Sequence, residues 1–110
     1  MLNNMDSIQA EQNMHIFQLQ AFSEHTDTGF DIFYGDQSVG ALQLLSANPA
    51  PGSTDSRHFS LIFSGQPTPH LPQCTYHFVH AMLGRFDLFI VPIGPDRQTG
   101  QMLYEAIINQ

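Results

Sequence analysis

The sequence predicts an all-β domain, an antiparallel β-sandwich or small barrel of about six or seven strands with an irregular N-terminal segment. Three observations predict it. From Arg57 to Ser64 the chain alternates without a break, Phe59, Leu61 and Phe63 against His58, Ser60, Ile62 and Ser64, the period-two pattern of a strand with one buried face. The stretch from Leu71 to Val91 reads as a strand, a tight turn and a second strand. Runs of this kind recur at near-regular spacing between Gly- and Pro-rich loops, as they do in sandwiches and barrels.

Taken in order, residues 1–13 form a polar, Asn- and Gln-rich segment, and residues 14–110 a single β domain. Asp6 or Ser7 is placed to cap a short helix, with Gln9 three residues after Asp6 as in a capping box. Between Met14 and Ala21 periodicity is ambiguous: Phe17, Leu19 and Ala21 alternate as in a strand, while Met14, Phe17 and Ala21 also suit a helix. The reading taken is a strand. Phe30, Ile32 and Tyr34 then alternate between Thr28-Gly29 and Gly35-Asp36, a strand bounded by turn residues. From Ser38 to Ala47 the alternation breaks at Leu44-Leu45, which implies a bulge or a strand covered on both faces. A loop from Asn48 to Ser56 leads to the strand at Arg57, and three prolines between Gly65 and Pro72 rule out a sheet interior there.

Gln73 to His80 follows as a strand, with Tyr76, Phe78 and His80 on one face. Ala81 to Gly84 turns the chain, Gly84 being suited to positive φ. The return strand, Arg85 to Ile93, is apolar on both faces at its end, which predicts a central position. After a loop from Gly94 to Gly100, Met102 to Asn109 makes the last strand, Tyr104, Ala106 and Ile108 on one face. The expected core is built from Phe59, Leu61, Phe63, Tyr76, Phe78, Leu88, Ile90 and Tyr104.

Composition excludes several functions. The chain of 110 residues has ten acidic residues, three arginines and no lysine, for a net charge of -7. The missing lysine removes Schiff-base chemistry and the P-loop lysine. Scarce positive charge argues against nucleic acid and anionic membrane surfaces as partners. No window approaches the roughly 18 continuous apolar residues of a membrane-spanning helix, so no membrane insertion is expected. The N-terminus lacks the basic and apolar regions of a signal peptide. The expected location is cytoplasmic, or outside the cell as part of an exported assembly. With Cys74 the only cysteine, no internal disulfide forms.

The candidate chemical groups all have plain structural readings. His77 and His80 stand three apart on a strand and therefore point to opposite faces, which rejects a chelate; no cofactor or metal is expected. His80, beside the turn, is read as a hydrogen-bonding partner of loop backbone. Cys74 and His77 are likewise three apart, which separates a nucleophile from its base. Asp27, Asp31, Asp36, Asp55, Asp87 and Asp96 fall mostly in or beside turns and are read as turn formers. Nine Phe and three Tyr without any Trp read as core rather than a sugar platform. No residue is assigned a catalytic, cofactor-binding or metal role.

One feature calls for a partner or a closed sheet. Between Gln37 and Gly84 the only charged residues are Asp55 and Arg57, although exposed strand edges normally carry charges that prevent edge-to-edge pairing. A barrel, which has no edges, satisfies the pattern; so does contact with a second copy or a larger assembly. On the second reading a lysine at Gln43 weakens self-association without lowering monomer stability.

The ordered set Phe59-Ser60-Leu61-Ile62-Phe63, Leu71-Pro72-Gln73, Tyr76, His80, Leu83-Gly84, Leu88-Phe89-Ile90-Val91-Pro92 and Tyr104-Glu105-Ala106-Ile107-Ile108-Asn109 resembles a small bacterial domain of unknown function, family 6916, over about residues 16–109. Cys74 stands where a glycine, and Ile108 where a bulkier apolar residue, fits the pattern. The resemblance implies no activity, cofactor or catalytic residue. It associates the chain with phage-tail-like or collar-fibre-like proteins. The expected function is a non-enzymatic structural or interaction module, homo-oligomeric or accessory to a phage-tail-like or surface-fibre assembly. A small-ligand-binding β-barrel is the alternative, and a hydrolase using Cys74 or a histidine the third reading.

Overall fold

Six antiparallel strands close into one barrel in a computed structural model that describes residues 17–110. The expected polar segment over residues 1–13 and its capped helix lie outside the described residues. The strands are β1 (Gly29–Tyr34), β2 (Gln37–Pro49), β3 (His58–Gly65), β4 (Cys74–His80), β5 (Gly84–Pro95) and β6 (Met102–Asn109), preceded by a single helical turn, α1 (Leu19–Ser23). Around the barrel the order is β1-β2-β3-β6-β5-β4, and β4 returns to pair with β1. Of the two architectures the sequence allows, the barrel is the one formed.

Alternation places one residue in two inside. Phe30, Ile32, Leu42, Leu44, Tyr76, Phe78, Phe86, Leu88, Ile90, Ala106 and Ile108 join Phe59, Leu61, Phe63 and Tyr104 in the interior, and every expected core residue is buried. A barrel this narrow is filled by its own side chains. The aromatic rings meet mostly edge to face, Phe63 lying 5.4 Å from Phe30 and 5.2 Å from Phe78, which suits their quadrupoles. Gly65 belongs to the same packing: a methyl there would sit 2.5 Å from Leu42 Cδ2, so the bare position lets Leu42 and Tyr104 fill that end.

The break in alternation in β2 is a bulge. Leu44 pairs with Phe63 and Ser46 with Ile62, leaving Leu45 as the extra, outward residue. Gly84 has φ 84° and starts β5 directly after the turn, as expected. Strand β2 runs on to Pro49, two residues into the expected loop, because Asn48 and Pro49 still face Ser60 and Phe59.

Two expectations are corrected. Residues from Phe17 to Ala21 form no strand; α1 occupies Leu19–Ser23 instead, while residues 14–16 lie outside the described residues. The barrel closes between β1 and β4, so no free edge is available to a seventh strand. The helical turn turns Phe22 into the barrel end, where it is buried against Phe59 and Phe86. Strand β5 pairs with β4 over Gly84–Ile90 and with β6 over Val91–Pro95, and its outer face there is uncovered: Phe89 is 51% and Ile93 49% exposed. Apolar residues on both faces predict burial only where a second layer exists, and a single barrel has none outside.

Both ends are closed. At one, α1 and Phe22 form the plug, and Gln110 pairs with the Phe17 backbone, accepting from its N–H at 2.8 Å and donating to its carbonyl at 2.7 Å. At the other, the Tyr76 hydroxyl donates to the Pro72 carbonyl and the Leu71 N–H donates to the Tyr104 hydroxyl oxygen, each at 2.7 Å. These bonds hold Leu71-Pro72 across the mouth. Burial raises the proton affinity of both phenols. No helix among the described residues is long and apolar enough to cross a membrane.

Candidate functional site

With the interior occupied, the surfaces available for recognition are a cleft of about 320 Å³ at the Leu71 end, between β2 and residues 66–71, and the outer wall, on which the strand registers mark two facets. The first spans β1, β4 and β5. Phe33 lies beside His77 and His77 beside Asp87; in the next row Asp31 lies beside Val79 and Val79 beside Arg85. His77 Nδ1 and Asp87 Oδ1 are 2.6 Å apart. A groove of about 410 Å³ runs over this facet, lined by Phe33, Asp36, His77, Val79, Arg85 and Asp87 among others. An imidazole held by a carboxylate is half of a hydrolytic triad. No Ser, Thr or Cys lines the groove, so the hydroxyl or thiol that completes such a triad is not part of its lining.

The sequence reading of the histidines agrees with their placement. His77 faces outward and is exposed, while His80 faces inward and is buried. The His77–Asp87 pair does not show in the sequence pattern, yet the two lie symmetrically about the Ala81–Leu83 turn, and the hairpin register brings them together. Cys74 is half-buried at the start of β4, its thiol donating to the Thr75 carbonyl at 3.3 Å, and His77 points to the other side of the strand.

Asp55 and Asp96 are turn formers as expected: Asp55 Oδ1 accepts from Arg57 N–H and Asp96 Oδ1 from Gln98 N–H, each at 2.9 Å. The hydrogen bond from the Arg57 side chain holds the Asp55 carboxyl below the usual carboxylate range. Asp27 adopts the left-handed turn conformation, with φ 66°. Asp31 and Asp87 depart from this pattern: Asp31 lies within β1, between Ala41 and Val79, and Asp87 is the partner of His77.

Among the described residues no three His, Cys, Asp or Glu side chains converge as a metal site would require. The untagged protein is therefore expected to melt at the same temperature with and without a chelator. Stoichiometric zinc or iron, lost together with stability, would contradict this.

The second facet spans β3, β6 and the end of β5. At its centre Glu105 lies beside Ile62 on one side and Val91 on the other. Towards the α1 end, beyond the last β5–β6 pair, Phe89 lies beside Thr75 on β4 and Ile107 beside Ser60 on β3. Leu103 and Ile93 flank the Val91–Glu105 pair towards the other end, Ile93 standing out at the bulge between Pro92 and Gly94. Ile107 is 72% exposed. Apart from Glu105, this facet carries no Asp, Glu, Lys or Arg from β3, from β6 or from β5 beyond Asp87. Large apolar side chains gathered on an outer wall, with one charge among them, have the make-up of an interaction surface.

A family model described as Domain of unknown function (DUF6916) matches residues 17–108. No curated protein and no solved structure matches the chain.

Proposed function

The chain belongs to the DUF6916 family, whose description states no activity, and we propose that it is a non-enzymatic structural or interaction module meeting a second copy of itself through the facet of β3, β6 and β5. The observation that carries the reading is the exposed apolar group Phe89, Ile93 and Ile107. The sequence argument from unprotected strand edges does not support it, because the closed barrel leaves no edges. Charge permits self-contact on this face. A chain with net charge -7 repels its copies least where acidic residues are sparse, and here Glu105 stands alone.

The magnitude sets the strength of the contact. Burying a large apolar side chain contributes about 1.5–3 kcal/mol, so three such residues, half to three-quarters exposed, give a two-fold pair about 5–10 kcal/mol in all. Association itself costs at least about 4 kcal/mol. The contact is accordingly weak, and the same patch repeated in an array gains from multivalency. That is the behaviour of a component of a larger assembly, and the family resemblance gives it a setting, an accessory of a phage-tail-like or surface-fibre structure. Sedimentation of the wild type tests the reading. A sedimentation coefficient that rises with concentration through the micromolar range supports it; a strict monomer at high micromolar concentration removes it.

A second reading, binding of a small ligand, rests on the groove over Phe33, His77 and Arg85, whose volume of about 410 Å³ lies within the range of ligand clefts.

A further inference from the structure

The buried histidine at the end of β4 has a use for each ring nitrogen. His80 is 5% exposed, with its ring centroid 4.4 Å from Phe30. Its Nδ1 lies 3.0 Å from Met82 N and 3.1 Å from Leu83 N. Both are backbone N–H donors, so Nδ1 is an acceptor and carries no proton. The ring proton therefore sits on Nε2, 2.9 Å from Thr28 Oγ1, and the Thr28 hydroxyl donates in turn to the His25 carbonyl. Every donor in this chain points the same way, and only the neutral ring with its proton on Nε2 fits it.

We infer that His80 is an acid-released clamp: a proton taken up at Nδ1 turns an acceptor into a donor and frees the turn after β4, while the Nε2–H bond to Thr28 is kept. Two amides then face a third N–H, and both bonds break together. The clamp joins three pieces of chain. Residues 81–83 form the β4–β5 turn, Thr28 leads into β1, and His25 follows α1, whose Phe22 plugs the barrel against Phe59 and Phe86.

Among the described residues no nearby carboxylate compensates the charge. The titratable side chains on the neighbouring elements are Glu24, His25 and Asp27 before β1, Asp31 on β1, and Arg85 and Asp87 on β5. Of these only His25, with its ring 4.9 Å away, acts on His80, and its charge opposes protonation. Burial first, and His25 second, hold the His80 pKa below the ordinary value of 6.5. The sign follows. The neutral ring contributes its full stability above pH 6.5, and that contribution is lost as pH falls from there through the lowered folded value.

The test is NMR on the isotope-labelled full chain, following the His80 ring nitrogens and the Met82, Leu83 and Phe63 amides from neutral to acid pH. Expected are a proton on Nε2 at neutral pH and, as His80 titrates, a fall of about tenfold or more in the protection of Met82 and Leu83 relative to their intrinsic exchange rates. Phe63, in the core of β3, stays protected. In His80→Asn the short side-chain oxygen accepts from the same two amides, as in an Asx turn, and has no proton to take up, so the protection there, measured against the intrinsic rate at each pH, becomes independent of pH. The inference is overturned by a proton on Nδ1 at neutral pH, by Met82 and Leu83 amides that stay protected through the titration, or by Phe63 losing protection with them. The wild-type titration decides the point whether or not His80→Asn folds.

Discussion

Replacing Phe63 by alanine is expected to lower the unfolding free energy by about 3–5 kcal/mol, the largest effect of any single truncation argued from this fold. Phe63 is fully buried at the middle of the barrel, with Phe30 and Phe78 against its ring. Its removal leaves a void between β1, β3 and β4 that a closed barrel cannot collapse around, because each strand is held by two neighbours. Domains of this size are stable by only about 5–15 kcal/mol, so the loss is a large fraction of the total. Thermal or denaturant unfolding measures it. A melting temperature close to wild type would mean that the ring does not fill the interior and that alternation in β3 was misassigned.

Phe63 was legible in the sequence for a local reason. Side-chain direction in a strand is set by the parity of position, so an unbroken alternation such as His58 to Ser64 names its own buried face. The bulge at Leu45 was legible too, since an extra residue between Leu44 and Ser46 shows as a doubled apolar position, and Gly84 marked the turn. What failed to show depended on distant chain. Phe17 to Ser23 carries a pattern compatible with either helix or strand, and the choice was made elsewhere, by β4 pairing with β1 and removing the edge a strand would have joined. Closure itself is a property of all six registers together. Apolar residues such as Phe89 and Val91 on the outer side of β5 read as a buried strand, because periodicity reports which residues share a face and not whether anything lies over it. The candidate surface was therefore hidden inside a correct strand assignment. The His77–Asp87 pair needed the hairpin register as well as the residues.

That outer surface gives the second large effect. Ile107→Lys is expected to weaken self-association at least about tenfold, equivalent to about 1.4 kcal/mol, while changing monomer stability by no more than about 0.5 kcal/mol. Ile107 is 72% exposed on the α1 side of the apolar facet, so the monomer loses little when it is replaced. In a two-fold contact the substitution enters twice, removing two apolar side chains and adding two ammonium groups that must be desolvated. Overall charge acts in the opposite direction, because a lysine makes an acidic chain less acidic and lessens repulsion between copies. Weakened association despite reduced repulsion therefore assigns the loss to the facet and not to net charge. Gln43→Lys changes the charge by the same amount from a position on β2, two strands from Leu103 by way of Ser64. It is expected to weaken the contact less than Ile107→Lys does. Sedimentation of the wild type and both variants, with melting curves for each, separates the outcomes. Equal weakening by the two would move the contact towards β2, and an Ile107→Lys protein that associates as the wild type does would exclude the β3, β6 and β5 facet from the contact.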